Sequence, residues 1–163
     1  MPNRRAMLAG LVAGAATSGV VKPALAAASD KAIVEAFYSG FLTSKGQDVA
    51  VEGARLMATN FESVGDFSGK AKGREDLIAQ IKRFHTLVPN LKWEPVEILE
   101  AGGRYVVRSR ATGAPNGPLF GVNGEGKSFT MMTIDIHEVV DGKLLRAYHV
   151  EDWAGALRQL AAQ

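Results

Sequence analysis

Two long strand-like runs in the C-terminal third are joined by Asp141-Gly142, and this turn sets the geometry of what surrounds it. Asp-Gly is a strong two-residue hairpin signal, because both turn positions need a positive φ that few other residues adopt cheaply. The flanking runs, residues 128–140 and 143–151, alternate in polarity and so read as antiparallel strands. A uniform register then pairs Val140 with Lys143, His137 with Arg146, Asp135 with Tyr148, Thr133 with Val150 and Met131 with Asp152. Alternation places these residues on one face and Met132, Ile134, Ile136, Leu145, Ala147 and His149 on the other. Both faces are substantially apolar. One is expected to pack on helices around a cavity, and the other to be covered by a second copy of the chain.

Upstream of this hairpin the pattern is first helical. Ser29 or Asp30 caps a first helix, on which Ile33, Phe37 and Phe41 recur four apart with Val34, Tyr38 and Leu42 beside them. Lys45-Gly46 ends it. Asp48 caps a second helix bearing Val51, Ala54, Met57 and Ala58, and residues 60–72 are irregular, with room for one short strand. A third helix opens at residues 73–76 and carries Leu77, Ile81, Phe84 and Val88 before Pro89-Asn90 stops it. Residues 91–100 and 104–112 form a hairpin about Ala101-Gly102-Gly103, residues 113–126 a long loop, and residues 153–161 a last helix. Helices first and strands second predict an α+β domain. Three helices lie on one face of a curved, mainly antiparallel sheet of four to six strands, with a short C-terminal helix.

The first 26 residues stand outside that domain. Arg4-Arg5 precede a mild apolar run, and Ala24-Leu25-Ala26 supplies an A-x-A cleavage site, the layout of a secretory signal peptide. The run from Asn3 to Leu8 is similar to a twin-arginine signal; the alternative is an ordinary signal that happens to begin with two arginines. The apolar run is too short and too rich in glycine for a membrane anchor. The mature chain, residues 27–163, is therefore expected in the periplasm or outside the cell, free of the membrane. The whole chain has 19 Lys+Arg against 17 Asp+Glu, but the leader holds Arg4, Arg5 and Lys22 and no acid. The mature chain thus carries one more acid than base, which gives no support to nucleic-acid binding. The absence of cysteine excludes disulfides, thiol catalysis and cysteine-ligated metals.

Asp152 is the leading candidate for chemistry. It stands where the last strand hands over to the last helix, and a carboxylate there is either an N-cap or a general acid/base. His149 lies three residues earlier and meets Asp152 only if the strand bends or bulges. Phe37 and Phe41, His85, Trp93, and Met131, Thr133, Asp135, Tyr148 and Val150 are the expected lining of a pocket. No metal-ligand spacing, phosphate-cradling motif or nucleophile elbow is present.

Several phrases point to one family. Asp152-Trp153-Ala154-Gly155 followed by Gln159-Leu160 is similar to D-x-x-G-x-x-x-Q-L. Ile134-Asp135-Ile136 and Asp141-Gly142-Lys143-Leu144 are similar to I-D-I and D-G-K-I, and Arg104 to Arg108 with Gly113 to a strand-three signature. In this order they resemble the SnoaL-like polyketide cyclases, or ester cyclases, of the nuclear-transport-factor-2-like superfamily. The resemblance implies a cone-shaped domain that takes a small apolar or aromatic ligand, without a cofactor. It implies Asp152 as general acid/base of a cyclase- or isomerase-like reaction. The chain departs from the pattern at Pro89-Asn90, at Tyr148, and at Ala114 to Gly117, where a loop histidine is missing. Two other readings stand beside catalysis. One is a non-catalytic binding protein of the same fold. The other is an interaction module whose cone is filled by Phe37, Phe41, Trp93, Met131 and Met132.

Overall fold

The computed structural model describes residues 23–162, with side chains from residue 30 onward. Up to position 22 the expected leader lies outside the described residues. Helix α1 (Pro23–Ala36) runs into a π-helical segment, Phe37–Leu42, followed by α2 (Val49–Leu56), β1 (Met57–Val64), β2 (Lys72–Gly73) and α3 (Arg74–Leu87). Strands β3 (Lys92–Ala101), β4 (Arg104–Gly113), β5 (Pro118–Leu119), β6 (Val122–Asn123), β7 (Phe129–Val140) and β8 (Lys143–Glu151) follow, and α4 (Trp153–Ala161) closes the chain. The main sheet has six strands in the order β2-β1-β8-β7-β4-β3; β5 and β6 form a separate small hairpin. The pairing of β1 with β8 is parallel and every other pairing in the main sheet is antiparallel. This is the expected α+β cone.

Alternation decides which face the helices cover. On β4 and β7 the odd-numbered residues are buried, among them Tyr105, Val107, Phe129 and Met131, while Arg108, Arg110 and Met132 face outward. The helices supply the complementary apolar stripe: Val34, Phe37 and Phe41, then Leu56, then Leu77, Ile78 and Ile81. Arg108 pairs with Glu97 at 3.2 Å on the outer face, as strand neighbours of opposite charge do.

Three local readings are revised. The first helix does not begin at Ser29 or Asp30: the alanine-rich stretch before them continues it back to Pro23, a residue suited to a first turn. The same helix widens over Phe37–Leu42, where Thr43 N–H donates to Tyr38 O, five residues back. This places Phe37, Tyr38, Phe41 and Leu42 all in the interior. Met57 and Ala58 leave the second helix and open β1, where Met57 comes into register with Leu144 of β8.

Candidate functional site

The Asp141-Gly142 turn forms as expected, with φ of 51° and 70° at its two positions. Val140 pairs with Lys143 and Val139 with Leu144, but Glu138 then pairs with Arg146. Leu145 is left over as a β-bulge. Beyond it the register has moved by one, and such a slip exchanges the two faces of a strand. Asp135 therefore stands opposite His149 instead of Tyr148, and Thr133 opposite Glu151 instead of Val150. Ala147, His149 and Glu151 turn inward; Tyr148 and Val150 turn outward.

The inward side chains form the floor of a pocket that measures about 590 Å³ with its open mouth included. Its walls are apolar: Phe37 and Leu42 from the π-helical segment, Leu77, Ile81 and Phe84 from α3, Trp93 from β3 and Trp153 from α4. Phe84 stacks on Trp153 at 5.5 Å, and Phe120, at the tip of the β5–β6 hairpin, meets Trp153 edge-on at 5.2 Å. These rings separate the pocket from a wider vestibule that Lys72, Arg83 and Phe120 help line.

Asp135 is buried in this floor. Tyr38 Oη donates to its Oδ2 at 2.8 Å, and Thr133 Oγ1 donates to the same atom at 3.3 Å. Burial pushes the Asp135 carboxyl up to about 7; the Tyr38 hydrogen bond opposes the rise, and the Glu151 charge adds to it. Tyr38 Oη also lies 2.7 Å from Nε2 of fully buried His137. The single tyrosine proton is spent on Asp135, so His137 Nε2 carries the donor. Burial holds His137 neutral, with its pKa lowered to about 3.

A second polar chain crosses the floor. His149 Nε2 lies 3.0 Å from Ser63 Oγ on β1, and His149 Nδ1 lies 3.3 Å from Glu151 Oε1. Trp153 Nε1–H donates to the other Glu151 oxygen at 2.9 Å. The Glu151 hydrogen bond raises the His149 pKa against the opposing effect of burial. Burial works most strongly against the charge on Glu151, but the bond to and charge of His149, the Trp153 hydrogen bond and the Lys72 charge together outweigh it and hold the carboxyl below its usual range. The pair is thus poised as imidazolium and carboxylate beside a carboxyl that titrates near neutrality.

Of the residues expected in the site, Phe37, Trp93, Asp135 and His149 line the pocket. Thr133 supports it from beneath, accepting Trp93 Nε1–H at 3.3 Å. Phe41 and Met131 are buried in the core around it, and Phe41 stacks on Phe37 at 5.3 Å. The remainder lie elsewhere. His85 bonds to Leu42 O at 3.0 Å and borders a different surface groove. Tyr148 sits under the Arg146 guanidinium on the outer face, and Val150 is 72% exposed, because the Leu145 bulge turned both outward. Asp152 is exposed outside the pocket, and its Oδ1 accepts Gly155 N–H at 2.8 Å. It is the N-cap of α4 and does not line the pocket that His149 lines.

Sequence reasoning missed Tyr38 as a polar residue of the site, and with it Ser63, Glu151 and Trp153. Glu151 was one register step from view: a single extra residue in β8 exchanges it for Asp152. Ser63 precedes a stretch rich in glycine and polar residues, 65–72, that masks the short alternation of β1.

The comparisons with known proteins agree with this architecture. The family model for SnoaL-like polyketide cyclase matches residues 32–160. Among solved structures, TsrD from Streptomyces laurentii superposes with a TM-score of 0.69 at 23% identity, over 83% of this chain and 97% of that one. A protein from Jannaschia sp. CCS1, described as a SnoaL-like polyketide cyclase, gives 0.71 at 22% identity, over 83% and 94%. Wild-type IdmH from Streptomyces antibioticus gives 0.69 at 20% identity, over 82% and 99%. At these identities the likeness speaks for the fold alone. No curated protein matches the chain in sequence. The extent of the family match is decisive: this chain belongs to the SnoaL-like polyketide cyclase family.

Proposed function

We propose that this family member is an exported protein whose cone takes a small apolar or aromatic ligand, and that Asp135 and His149 perform cofactor-free acid/base chemistry on it. The observation that carries the reading is the pairing itself. A carboxyl brought to about 7 by burial stands directly opposite a histidine whose protonated form Glu151 favours, at the floor of an aromatic-walled pocket. A base that titrates near the working pH transfers protons efficiently in both directions. Both hydrogen bonds to Asp135 fall on Oδ2, so Oδ1 is the oxygen left to act on a ligand. In this reading Asp135 removes a proton from a carbon beside a carbonyl, and the His149 imidazolium protonates the carbonyl oxygen as charge develops on it. Returning the proton at another carbon isomerises the ligand. Attack of the enol carbon on a second carbonyl closes a ring.

The acid/base centre thereby moves from Asp152, the sequence-based candidate, to Asp135. Native mass spectrometry of protein purified from its own host is the experiment that supplies a ligand. With that ligand, Asp135→Asn is expected to keep binding and lose turnover. Full turnover in the Asn variant contradicts the catalytic reading and leaves a binding protein. Export rests on Arg4-Arg5 and the Ala24-Leu25-Ala26 site. It is tested by whether Arg4→Lys with Arg5→Lys retains the protein in the cytoplasm.

A further inference from the structure

Ser63 has no part in the chemistry proposed above, yet its surroundings match the requirements of a nucleophile. Its Oγ lies 3.0 Å from His149 Nε2, and the other ring nitrogen faces Glu151 Oε1 at 3.3 Å. Glu151 is itself fixed by the Trp153 indole N–H. Nucleophile, base and orienting carboxylate thus follow one another atom for atom as the triad logic demands, on a fold with no nucleophile elbow. A fourth group completes the set. Ser63 pairs in register with Lys72 across β1 and β2, so the two side chains share the inner face, and Lys72 lines the same pocket. The Lys72 charge already acts on Glu151 across this pocket, and from the same lining it can stabilise an oxygen that gains charge. We infer that Ser63, His149, Glu151 and Lys72 form an acyl-transfer site that hydrolyses carboxylic esters of apolar or aromatic acids.

The step balances without a cofactor. Ser63 Oγ bonds to the ester carbonyl carbon while its proton passes to His149 Nε2 and the carbonyl electron pair moves onto oxygen beside Lys72. The intermediate collapses, the C–O bond to the alcohol breaks, and His149 gives its proton to the departing alkoxide. Water then bonds to the acyl-Ser63 carbonyl carbon as its proton passes to His149; the bond between that carbon and Ser63 Oγ breaks, His149 returns the proton to Oγ, and the free acid leaves. Only neutral His149 accepts the proton. Since its pairing with Glu151 raises its pKa, acylation is expected to speed up as pH climbs through and above the ordinary histidine range.

The test uses the mature protein with a fluorophosphonate as covalent probe and p-nitrophenyl butyrate as substrate. The expected result is one adduct per chain, mapped to Ser63 by peptide mass spectrometry and formed faster at pH 8 than at pH 6. Ester hydrolysis should fall by about 10²-fold or more in Ser63→Ala, and Lys72→Met should slow it by about 10-fold to 10²-fold with the adduct site unchanged. Ser63→Ala removes one buried oxygen, and a matching circular dichroism spectrum and melting temperature establish that it folds. Absence of an adduct on Ser63 in folded protein at pH 8 overturns the inference. So does ester hydrolysis equal in wild type and Ser63→Ala.

Discussion

At the scale of single residues, two aspartates that look alike in sequence have opposite environments. Asp152 is exposed and caps α4, so its contribution is to one hydrogen bond with Gly155 N–H. Asp152→Ala is expected to cost on the order of 1 kcal/mol in urea unfolding, and Asp152→Asn close to nothing, since Asn caps as well as Asp. A loss of pocket chemistry in Asp152→Asn would restore it as the acid/base. Asp135 is buried, and its pKa rises to about 7 on folding, from about 3.9 in the unfolded chain. A raised pKa contributes stability that is fully present below the unfolded value and is lost as pH climbs through the folded one. The wild type should therefore lose a few kcal/mol relative to Asp135→Asn between pH 4 and pH 8. Urea unfolding of both proteins across that range checks it, and the other titrating groups cancel in the comparison. Parallel curves would mean that Asp135 is ionised at an ordinary pKa.

At the scale of elements, the outcome turns on the Leu145 bulge. Because the chain has no cysteine, paired substitutions report register on a clean background. Ile134→Cys with Val150→Cys should oxidise to a disulfide, as these residues are direct partners. Thr133→Cys with Val150→Cys, the partners of a uniform register, should stay reduced. Disulfide formation only in the second pair would put Glu151 back outside the pocket. Much of this level was legible beforehand. The Asp141-Gly142 turn, the inward parity of Met131, Thr133 and Asp135, and the apolar stripe of α3 all follow from local chemistry. The bulge was not legible, because Leu144-Leu145 offers two apolar residues in sequence and either satisfies an inward position. Strand β1 was hidden for a related reason: Met57 and Ala58 continue the spacing of α2, and only long-range pairing with β8 pulls them away from it.

At the scale of the whole molecule, the sheet has a second face with apolar side chains in water. Val150 is 72% exposed, Met132 55% and Ile134 45%, on neighbouring positions of β7 and β8. A contiguous patch of this kind is costly in a monomer, so a homodimer through the outer sheet face is the expected assembly. Sedimentation should give a dimer at micromolar concentration, and Ile134→Asp should give a folded monomer. A wild-type monomer contradicts the assembly without touching the pocket. The claim that joins all three scales is that bulge, cone and helices together hold Asp135 in an apolar pocket as a group able to gain and lose a proton near neutrality. Carbon-13 NMR of the aspartate carboxyl resonances, titrated from pH 3 to pH 9 in wild type and Asp135→Asn, tests it most directly. The account predicts one resonance with a midpoint near 7 that disappears in the Asn variant. A midpoint near the ordinary value of about 3.9 for the Asp135 resonance would contradict it.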